Sequence, residues 1–496
     1  MGIVFKQSFK NTLIIYLAFA FGGINTLFLY TNFLQEEYYG LVTFLLSSSN
    51  LLMPLVALGI QHTIVKFFSS YQDKIEKDRF LSSVLFLPLL IALPIAYFGN
   101  LFYEEISNYI SKENPIIKNY TFVIYLIAVA CAYFEIFYSW AKVQFQSVFG
   151  NLLKELWNRV AIMILLFAVY FEFITKPEFI YYLTGAYFLR MLLMMGYAFK
   201  LYFPIYSFKL PYNFKEVLKY AGYIILAGSA GAIILDIDKV MIPGKESIVK
   251  AAYYSVAVFI GSFIEAPSRA MMNILQPITS KTLNENDTKE VASLYKKSSI
   301  NLLTVSGLFF ILINTNVQEL FRLLPKGYEG GVLVVLMISL LKLYNGFLGN
   351  NSAIINNSKY YKVILPISLG MATAVYFLNK LFYYELEMGT NGLALATLIV
   401  ILTANTIKLL FVKKKFRMTP FTDKSWKMIF IITILYFIFN YWNFPIDDIF
   451  IGKFPIHPII NILLKSILIV LVYLFLVIKL NISDELSRLF RRYIYK

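Results

Sequence analysis

The amino-acid sequence predicts an all-α integral membrane protein with fourteen transmembrane helices. Of its 496 residues, 59% are apolar and 15% are charged, whereas soluble domains contain about 45–50% and about 25% of these classes. The apolar residues form continuous runs of about 20, which as a helix span a bilayer core of about 30 Å. Because these runs do not alternate with polar residues, a membrane β-barrel is excluded. A water-soluble globular enzyme, a disordered chain and a fibrous protein are excluded as well.

Each span is assigned to one apolar run, and the fifth, tenth and thirteenth runs give the weakest signal. The spans are predicted at 11–32, 41–65, 80–99, 119–141, 156–173, 178–199, 218–236, 252–276, 299–321, 331–357, 363–382, 390–412, 426–443 and 459–479. We divide them into a first six-helix lobe at 1–205, a second six-helix lobe at 206–415, and two accessory helices with a basic tail at 416–496.

Lysine and arginine are distributed unevenly between the two sets of loops. With the N-terminus in the cytoplasm, and with the four residues at each end of a span counted with the adjoining loop, the cytoplasmic segments hold 30 of the 45 Lys and Arg residues, and the external segments hold 10. Cytoplasmic loops of membrane proteins carry this excess, so both termini are predicted to be cytoplasmic. The net charge of +16 is thereby explained by topology rather than by binding to nucleic acid.

Cysteine and histidine are too few for several kinds of site. Cys131 is the single cysteine, and His62 and His457 lie far apart in the sequence. A disulfide framework needs paired cysteines, a zinc site needs a cluster of Cys and His, and a catalytic triad needs a positioned His. We therefore expect no metal, no cofactor and no catalytic residue, and hence a protein that is not an enzyme.

The two halves of the chain begin alike, which predicts an internal repeat. FKNTLIIYLAFAFGG opens the first half and FKEVLKYAGYIILAG opens the second, and a Tyr pair later precedes Pro54 in one half and Pro267 in the other. Since six spans separate the two openings, the repeat is parallel, with its axis along the membrane normal. Transporters are built in this way around a central cavity. The alternative is chance similarity between hydrophobic helices.

Polar and charged residues recur inside the predicted spans. In span 8 they recur along one helical face, at Ser255, Ser262, Glu265, Arg269, Asn273 and Gln276. Span 10 carries Lys342, Asn345, Gly349, Asn350 and Asn356. Glu135 lies deep in span 4, Arg190 lies near the middle of span 6, and Asp236 and Asp238 lie at the outer end of span 7. A charge at a helix centre costs about 2.5–3.5 kcal/mol, so these groups should face a water-filled cavity or a partner.

Some of these charges have a purely structural alternative. Glu265 and Arg269 are four residues apart and either neutralise each other or face a cavity. Lys408 and Lys465 lie within two turns of a span end, so we expect their side chains to extend towards the membrane surface. Arg190 and Lys342 are too central for that and have no acid close by in the sequence, so we expect them to face a cavity. Asp236 and Asp238 form a gate, an ion site or a solvated interfacial turn.

Three segments resemble a known family. They are EEYYGLVTFLLSSSNLLMPLVALGI with the trailing VKFFS, DKVMIPGKESIVKAAYYSVAVFIGSFIEAPSRAMMNILQP, and KGYEGGVLVVLMISLL. These segments resemble the polysaccharide and O-antigen flippases of the multidrug/oligosaccharidyl-lipid/polysaccharide (MOP) exporter superfamily, and the resemblance spans nearly the whole chain. It implies two six-helix lobes in a V around a cationic cavity, with two further helices. It also implies translocation of lipid-diphosphate-linked oligosaccharides across the bacterial inner membrane by alternating access.

The resemblance and the positions of the charges together suggest roles for individual residues. The cations expected to bind the diphosphate are Arg190, Arg269 and Lys342, since charge-assisted contacts to phosphate are strong. The residues expected to line the cavity or to couple transport to Na⁺ or H⁺ are Glu135, Glu265, Asn273, Asn345, Asp236 and Asp238. The expected partners are the lipid-linked substrate, the bilayer and other membrane proteins of polysaccharide assembly.

Three other classes of function compete with a flippase. A drug or cation antiporter of the same superfamily shares the twelve-helix core, but it would favour acidic residues in the cavity because its substrates are cations. A membrane-bound polysaccharide polymerase would need a large external loop or an intramembrane His, and the sequence predicts neither. A scaffold without transport would not need charges inside its spans.

Overall fold

The computed structural model describes residues 2–444, 450–451 and 454–482. Within these ranges the chain is helical apart from its loops and a short antiparallel ladder between β1 (Phe450–Ile451) and β2 (Phe454–Pro455). The predicted all-α membrane class is therefore confirmed. Most of the predicted basic tail, 483–496, lies outside the described residues.

Packing groups the chain into two compact units. The first comprises Met1–Ser255 and Leu365–Glu385, and the second comprises Val256–Ile364 and Leu386–Lys496. These units divide the chain at other positions than the lobes at 1–205 and 206–415, so the lobe bounds stay a prediction.

The α-helices of the described residues are numbered here in chain order. The first twelve are α1 Gly2–Gly23, α2 Tyr30–Phe33, α3 Glu36–Ala57, α4 Ile60–Phe67, α5 Lys74–Phe86, α6 Leu89–Leu101, α7 Tyr103–Ile110, α8 Thr121–Val143, α9 Val148–Leu152, α10 Asn158–Tyr170, α11 Lys176–Leu201 and α12 Phe214–Met241. The rest are α13 Val249–Ser262, α14 Ala266–Asn284, α15 Thr288–Arg322, α16 Val332–Leu348, α17 Asn351–Asn356, α18 Ile364–Asn379, α19 Gly389–Phe416, α20 Asp423–Asn440 and α21 His457–Lys479.

Twelve helical stretches in the described residues are long and apolar enough to cross a membrane. They correspond to all the predicted spans except the fifth and the thirteenth. Those two are helical as α10 and α20, but they are not among the twelve. The chain is thus a multi-pass membrane protein, and the count of fourteen spans stays a prediction.

The first unit packs around α8. This helix contacts α3, α4 and α11, while α12 packs on α3 and α4. Its buried aromatic residues Phe134 and Trp140 form a hydrophobic core with Phe80 of α5. Side chains here bury their apolar surface against neighbouring helices rather than against lipid, which fixes the positions of α8 and α11 relative to each other.

The second unit packs around the 35-residue helix α15. Its Gly307 lies against α20 and α21, since a Cβ atom there would collide with Ile432 and lie 3.0 Å from the Tyr473 hydroxyl. Small residues allow membrane helices to approach in this way. Gly307 therefore explains how α20 and α21 attach to the rest of this unit.

The expectation that Lys465 extends towards the membrane surface is wrong. Its side chain is only 1% exposed, and its Nζ donates to the carbonyl of Thr315 at 2.7 Å and to Asn443 Oδ1 at 2.9 Å. Because an ammonium in a span must be satisfied by internal acceptors, this lysine fastens α21 to α15. The Lys408 Nζ also has an internal acceptor, Asn405 Oδ1, at 3.3 Å.

Candidate functional site

Three of the predicted charges lie together in the second unit. The carboxylate of Glu265 accepts a short hydrogen bond from Lys342 Nζ, and its other oxygen lies 3.5 Å from Arg269 Nε. The structure thus gives Lys342 an acidic partner that is 77 positions away in the sequence. These three side chains comprise two cations and one anion.

A break in the helix positions Glu265. The helix α13 ends at Ser262, a 3₁₀ turn covers Phe263–Glu265, and α14 begins at Ala266 with Pro267 in its first turn. Proline is favoured in the first turn of a helix because the N–H groups there have no acceptor within the helix, so the missing N–H of proline costs nothing. A short 3₁₀ stretch inside a long helix often marks a hinge or local strain.

The two cations of the cluster differ in exposure. The side chain of Lys342 is 15% exposed, whereas that of Arg269 is 44% exposed. Lys342 is therefore held by Glu265 within the protein, while Arg269 reaches outward from the same carboxylate. Of the two, Arg269 is the group that an incoming anion could contact first.

Buried hydroxyls lie beside this cluster. Ser268 and Ser306 have buried Oγ atoms without a hydrogen-bond partner in the described part of the chain. Both lie against Gly346, where a Cβ atom would meet Ser306 Oγ at 2.8 Å and Ser268 Oγ at 3.5 Å. Since buried hydroxyls are normally hydrogen-bonded, these groups can serve as donors to water or to a polar ligand.

A second break in the same unit lies at Gly349. This residue has φ +49° and ψ −122° and separates α16 from α17. The break is held by α15, since Ser299 Oγ donates to the carbonyl of Phe347 at 2.5 Å and the Asn350 N–H donates to Ser298 Oγ at 3.3 Å. Predicted span 10 thus contains, besides Lys342, a polar residue that serves helix packing, Asn350.

The two predicted amide residues of the second unit, Asn345 and Asn273, lie on different helices. Asn345 Oδ1 accepts a hydrogen bond from Asn405 Nδ2 at 2.5 Å, which links α16 to α19. Asn273 lies on α14, but its side chain is outside the part of the chain that the structure describes.

Arg190 is the buried cation of the first unit. Its side chain on α11 is 6% exposed, and Nη2 donates to Cys131 Sγ on α8 at 3.3 Å. The guanidinium lies 4.2 Å from the centre of the Phe134 ring and 4.9 Å from that of Tyr187. Its Nε is buried without a hydrogen-bond partner, and no carboxylate pairs with Arg190 among the described residues. Aromatic rings stabilise a cation only partly, so this guanidinium retains capacity for an anion.

Glu135 is held by a cation from the next helical segment. Its Oε1 lies 2.6 Å from Lys154 Nζ, in the π-helical turn Leu153–Trp157 that joins α9 to α10. Lys154 lies in the loop before predicted span 5, whereas Glu135 lies inside span 4. Their contact was therefore not predicted from the sequence. The pair neutralises the acid within the first unit.

Asp236 and Asp238 face different helices of the first unit. Asp236 accepts hydrogen bonds from Ser47 Oγ at 3.0 Å and Asn50 Nδ2 at 3.2 Å, both on α3, and its Oδ1 also lies 3.3 Å from Lys239 Nζ. Both aspartates are buried rather than part of a solvated turn.

Asp238 is bonded from two other helices. It accepts hydrogen bonds from the Tyr254 hydroxyl on α13 at 2.6 Å and from Asn379 Nδ2 on α18 at 2.7 Å. Neither partner was among the predicted site residues. Tyr254 belongs to the Tyr pair that precedes Pro267 in the predicted repeat, and its side chain is buried.

The structure therefore brings together Glu265, Arg269 and Lys342, but it places Arg190, Glu135, Asn345 and the two aspartates in separate groups. Arg190 belongs to the first unit and Lys342 to the second. That these two cations meet one substrate stays a prediction. Cys131 and Lys154 were missed as partners because contacts between distant helices leave no local pattern in a single sequence.

The chain matches a protein family over more than half of its length. The family model described as "Polysaccharide biosynthesis protein" matches residues 7–283. The chain belongs to the polysaccharide biosynthesis protein family. This confirms the resemblance drawn from the sequence. Among curated proteins, none matches the chain significantly.

Solved structures show the same fold as this member of the polysaccharide biosynthesis family. The lipid II flippase MurJ, in an inward closed conformation, is similar with a TM-score of 0.68 and 16% identity, covering 98% of this chain and 99% of that one. A MOP superfamily transporter from Pyrococcus furiosus has a TM-score of 0.59 and 12% identity, covering 84% and 95%. The Vibrio cholerae MATE transporter VcmN has a TM-score of 0.57 and 14% identity, covering 84% and 97%. The fold is thus that of MOP superfamily transporters.

Proposed function

We propose that this protein is a flippase for lipid-diphosphate-linked oligosaccharides, such as O-antigen or other polysaccharide repeat units. It would move them from the cytoplasmic to the outer leaflet of the bacterial inner membrane by alternating access, with both of its termini in the cytoplasm. No covalent chemistry is required of it, so it would not be an enzyme. The observation that carries the proposal is a set of cations inside the spans, of which Arg190 is buried without a carboxylate partner among the described residues.

The positive charge is found in both units. Arg190 is buried and has no carboxylate partner in the described residues, and Lys342 and Arg269 both contact the carboxylate of Glu265. A diphosphate would satisfy such groups, because hydrogen bonds between ionised donors and phosphate oxygens are about twice as strong as neutral ones. A cationic substrate would be repelled by the same groups.

The structural similarities agree with a lipid-linked substrate. MurJ is a lipid II flippase, and its similarity extends over 98% of this chain. The MATE transporter VcmN covers 84%, leaving a remainder about the size of the predicted accessory region at 416–496. The family description, polysaccharide biosynthesis, points to a saccharide cargo as well.

A drug or cation antiporter is the second candidate, and the buried acids favour it. Asp238 is held between Tyr254 and Asn379, and Asp236 between Ser47 and Asn50. Under the flippase proposal these acids serve coupling instead, by taking up H⁺ or Na⁺ as the protein changes conformation. The substrate and the bilayer are then the essential partners, and other membrane proteins of polysaccharide assembly would receive the product.

Reconstitution in vesicles separates the two candidates. Vesicles with the purified full-length chain would carry a lipid-diphosphate oligosaccharide in one leaflet, and a membrane-impermeant saccharide-modifying reagent would report its arrival in the other. We expect faster arrival with the chain than with protein-free vesicles. Parallel vesicles loaded with a fluorescent organic cation should show no added efflux. Cation efflux without movement of the lipid-linked saccharide would contradict the flippase proposal and favour an antiporter.

A further inference from the structure

An exposed apolar loop joins α11 to α12 in the first unit. Its large side chains are turned away from the protein, and Phe208 is fully exposed. The exposed members are Phe203, Ile205, Tyr206, Phe208, Leu210 and Tyr212. The two prolines of the loop, Pro204 and Pro211, are buried instead. The loop thus buries its prolines and exposes its apolar residues.

This outward direction is set by a fixed backbone. The loop is bonded to α5 by Tyr202 OH to Asp78 Oδ1 at 2.7 Å, Ser207 N to Ser82 Oγ at 3.2 Å, and Tyr212 N to Glu76 Oε2 at 3.2 Å. The Tyr71 hydroxyl donates to Asn213 Oδ1 at the end of the loop. Burial raises the pKa of Tyr71 to about 12, so this hydroxyl stays a donor.

The position of the loop explains its apolar surface. It connects two helices that are each long and apolar enough to cross the membrane, Lys176–Leu201 and the stretch that begins at Phe214. We therefore expect its apolar residues to lie at the boundary between the lipid headgroups and the acyl chains. Apolar patches that would be unfavourable in water are stable there, and aromatic residues are enriched at this level.

A basic pocket lies beside the end of the same loop. It has a volume of about 720 Å³ and is lined by Lys66, Ser70, Tyr212, Lys215, Glu216 and Lys219. Three lysines against one glutamate leave a positive excess. Lys66 Nζ is held 3.7 Å from the centre of the Tyr220 ring. The positive end of the α12 dipole adds to this field, because α12 begins at Phe214.

We propose that this pocket binds the headgroup of an anionic bilayer phospholipid such as phosphatidylglycerol, while the loop 203–212 contacts its acyl chains. Basic pockets next to membrane spans bind anionic lipid headgroups through such lysines. The apolar loop selects a lipid over a free anion, since it provides contacts that inorganic phosphate cannot use. This site does not depend on the proposed transport function, and it would anchor α5 and the start of α12 to one leaflet.

Lipid titration of the full-length chain in detergent tests the charged part of the site. Native mass spectrometry would count bound phosphatidylglycerol, with zwitterionic phosphatidylcholine as the comparison lipid. The triple variant K66Q/K215Q/K219Q should bind phosphatidylglycerol roughly a hundredfold more weakly, since each lysine near an anionic lipid contributes about a factor of five. The control K289Q/K296Q/K297Q removes the same charge from exposed lysines of α15 and should bind as the unaltered chain does. Equal binding by the two triple variants would overturn the proposal.

Two further arms identify the ligand. The double variant I205S/F208S removes apolar contacts and should weaken phosphatidylglycerol binding while the lysines remain in place. Millimolar inorganic phosphate should not displace the lipid. Displacement by inorganic phosphate would show a site for soluble anions. Preferential displacement by a lipid diphosphate would show a substrate site instead, and either result would overturn the phospholipid assignment.

Discussion

Glu265 carries the ionic contacts of two cations, and this sharing sets what each residue can do. Lys342 is held inside the protein by the carboxylate, while Arg269 is nearly half exposed beside it. A charge inside a span must find a partner or water. The structure meets that need for Lys342 with Glu265, and it leaves Arg269 the better placed of the two for substrate.

We expect Arg269→Gln to lose transport, because the exposed cation of the cluster would be missing. The double variant E265Q/R269Q should lose transport as well. Glu265→Gln alone should be milder, since both cations remain available to an anion. Complementation of surface polysaccharide in a flippase-null strain, with protein level measured in parallel, checks this order. Normal transport by the Arg269→Gln protein would show that the pair is only structural.

At the residue scale, the sequence predicted which charges lie inside spans but not their partners. The spacing of Glu265 and Arg269 on one helix face was enough to predict their contact. The contacts of Lys342 with Glu265, of Arg190 with Cys131 and of Glu135 with Lys154 join residues on different segments. Their geometry depends on how those segments pack, which hydrophobic periodicity does not encode.

Helix breaks are the main feature at the scale of elements. Pro267 entered the sequence analysis only as a part of the internal repeat, and the 3₁₀ turn Phe263–Glu265 lies just before it. The break at Gly349 was not predicted, because a glycine inside an apolar run is also compatible with a continuous helix. Its positive φ and its fit against α15 become visible only in the folded chain.

Gly349→Ala should destabilise the second unit by about 1–3 kcal/mol, since positive φ is costly for a residue with a side chain. The added Cβ would also lie 2.8 Å from Ser298 Oγ and from the Ser299 N. A lower thermal unfolding midpoint of the purified protein is the expected result. Gly370→Ala on α18 is the matched control, because its Cβ would meet nothing within 4 Å. An equal midpoint for both variants would contradict the strain at Gly349.

At the scale of the whole molecule, composition and run length predicted the all-α membrane fold. Twelve of the predicted spans correspond to helices able to cross a membrane in the described residues. The other two lie at α10 and α20. Lys154 and Glu155 precede α10, and α20 begins with Asp423 and Lys424. Charges near their ends lower their apolar signal, which is why apolar length alone leaves the count of fourteen open.

Topology follows from the distribution of Lys and Arg and has a direct test. In a Cys131→Ser background, which keeps a hydrogen-bond acceptor for Arg190, single cysteines would replace Glu104 or Lys414. An impermeant thiol reagent added to intact cells should label the cysteine at position 104 and not the one at 414. The excess of Lys and Arg in cytoplasmic loops assigns position 104 to the external side and position 414 to the cytoplasmic side. Labelling at 414 would contradict cytoplasmic termini and an even number of spans.

We propose that cations inside the spans of both units, Arg190 and Lys342, bind an anionic headgroup. Complementation by Arg190→Ala and Lys342→Ala in a flippase-null strain tests it most directly, with Arg190→Lys and Lys342→Arg as charge-keeping controls. Losing a charge-assisted hydrogen bond of about 1.5–3 kcal/mol should reduce transport roughly ten- to a hundredfold. The alanine variants should therefore fail while accumulating normally in the membrane, and the charge-keeping variants should retain partial transport. Full complementation by both alanine variants would contradict the claim and leave these residues as packing charges.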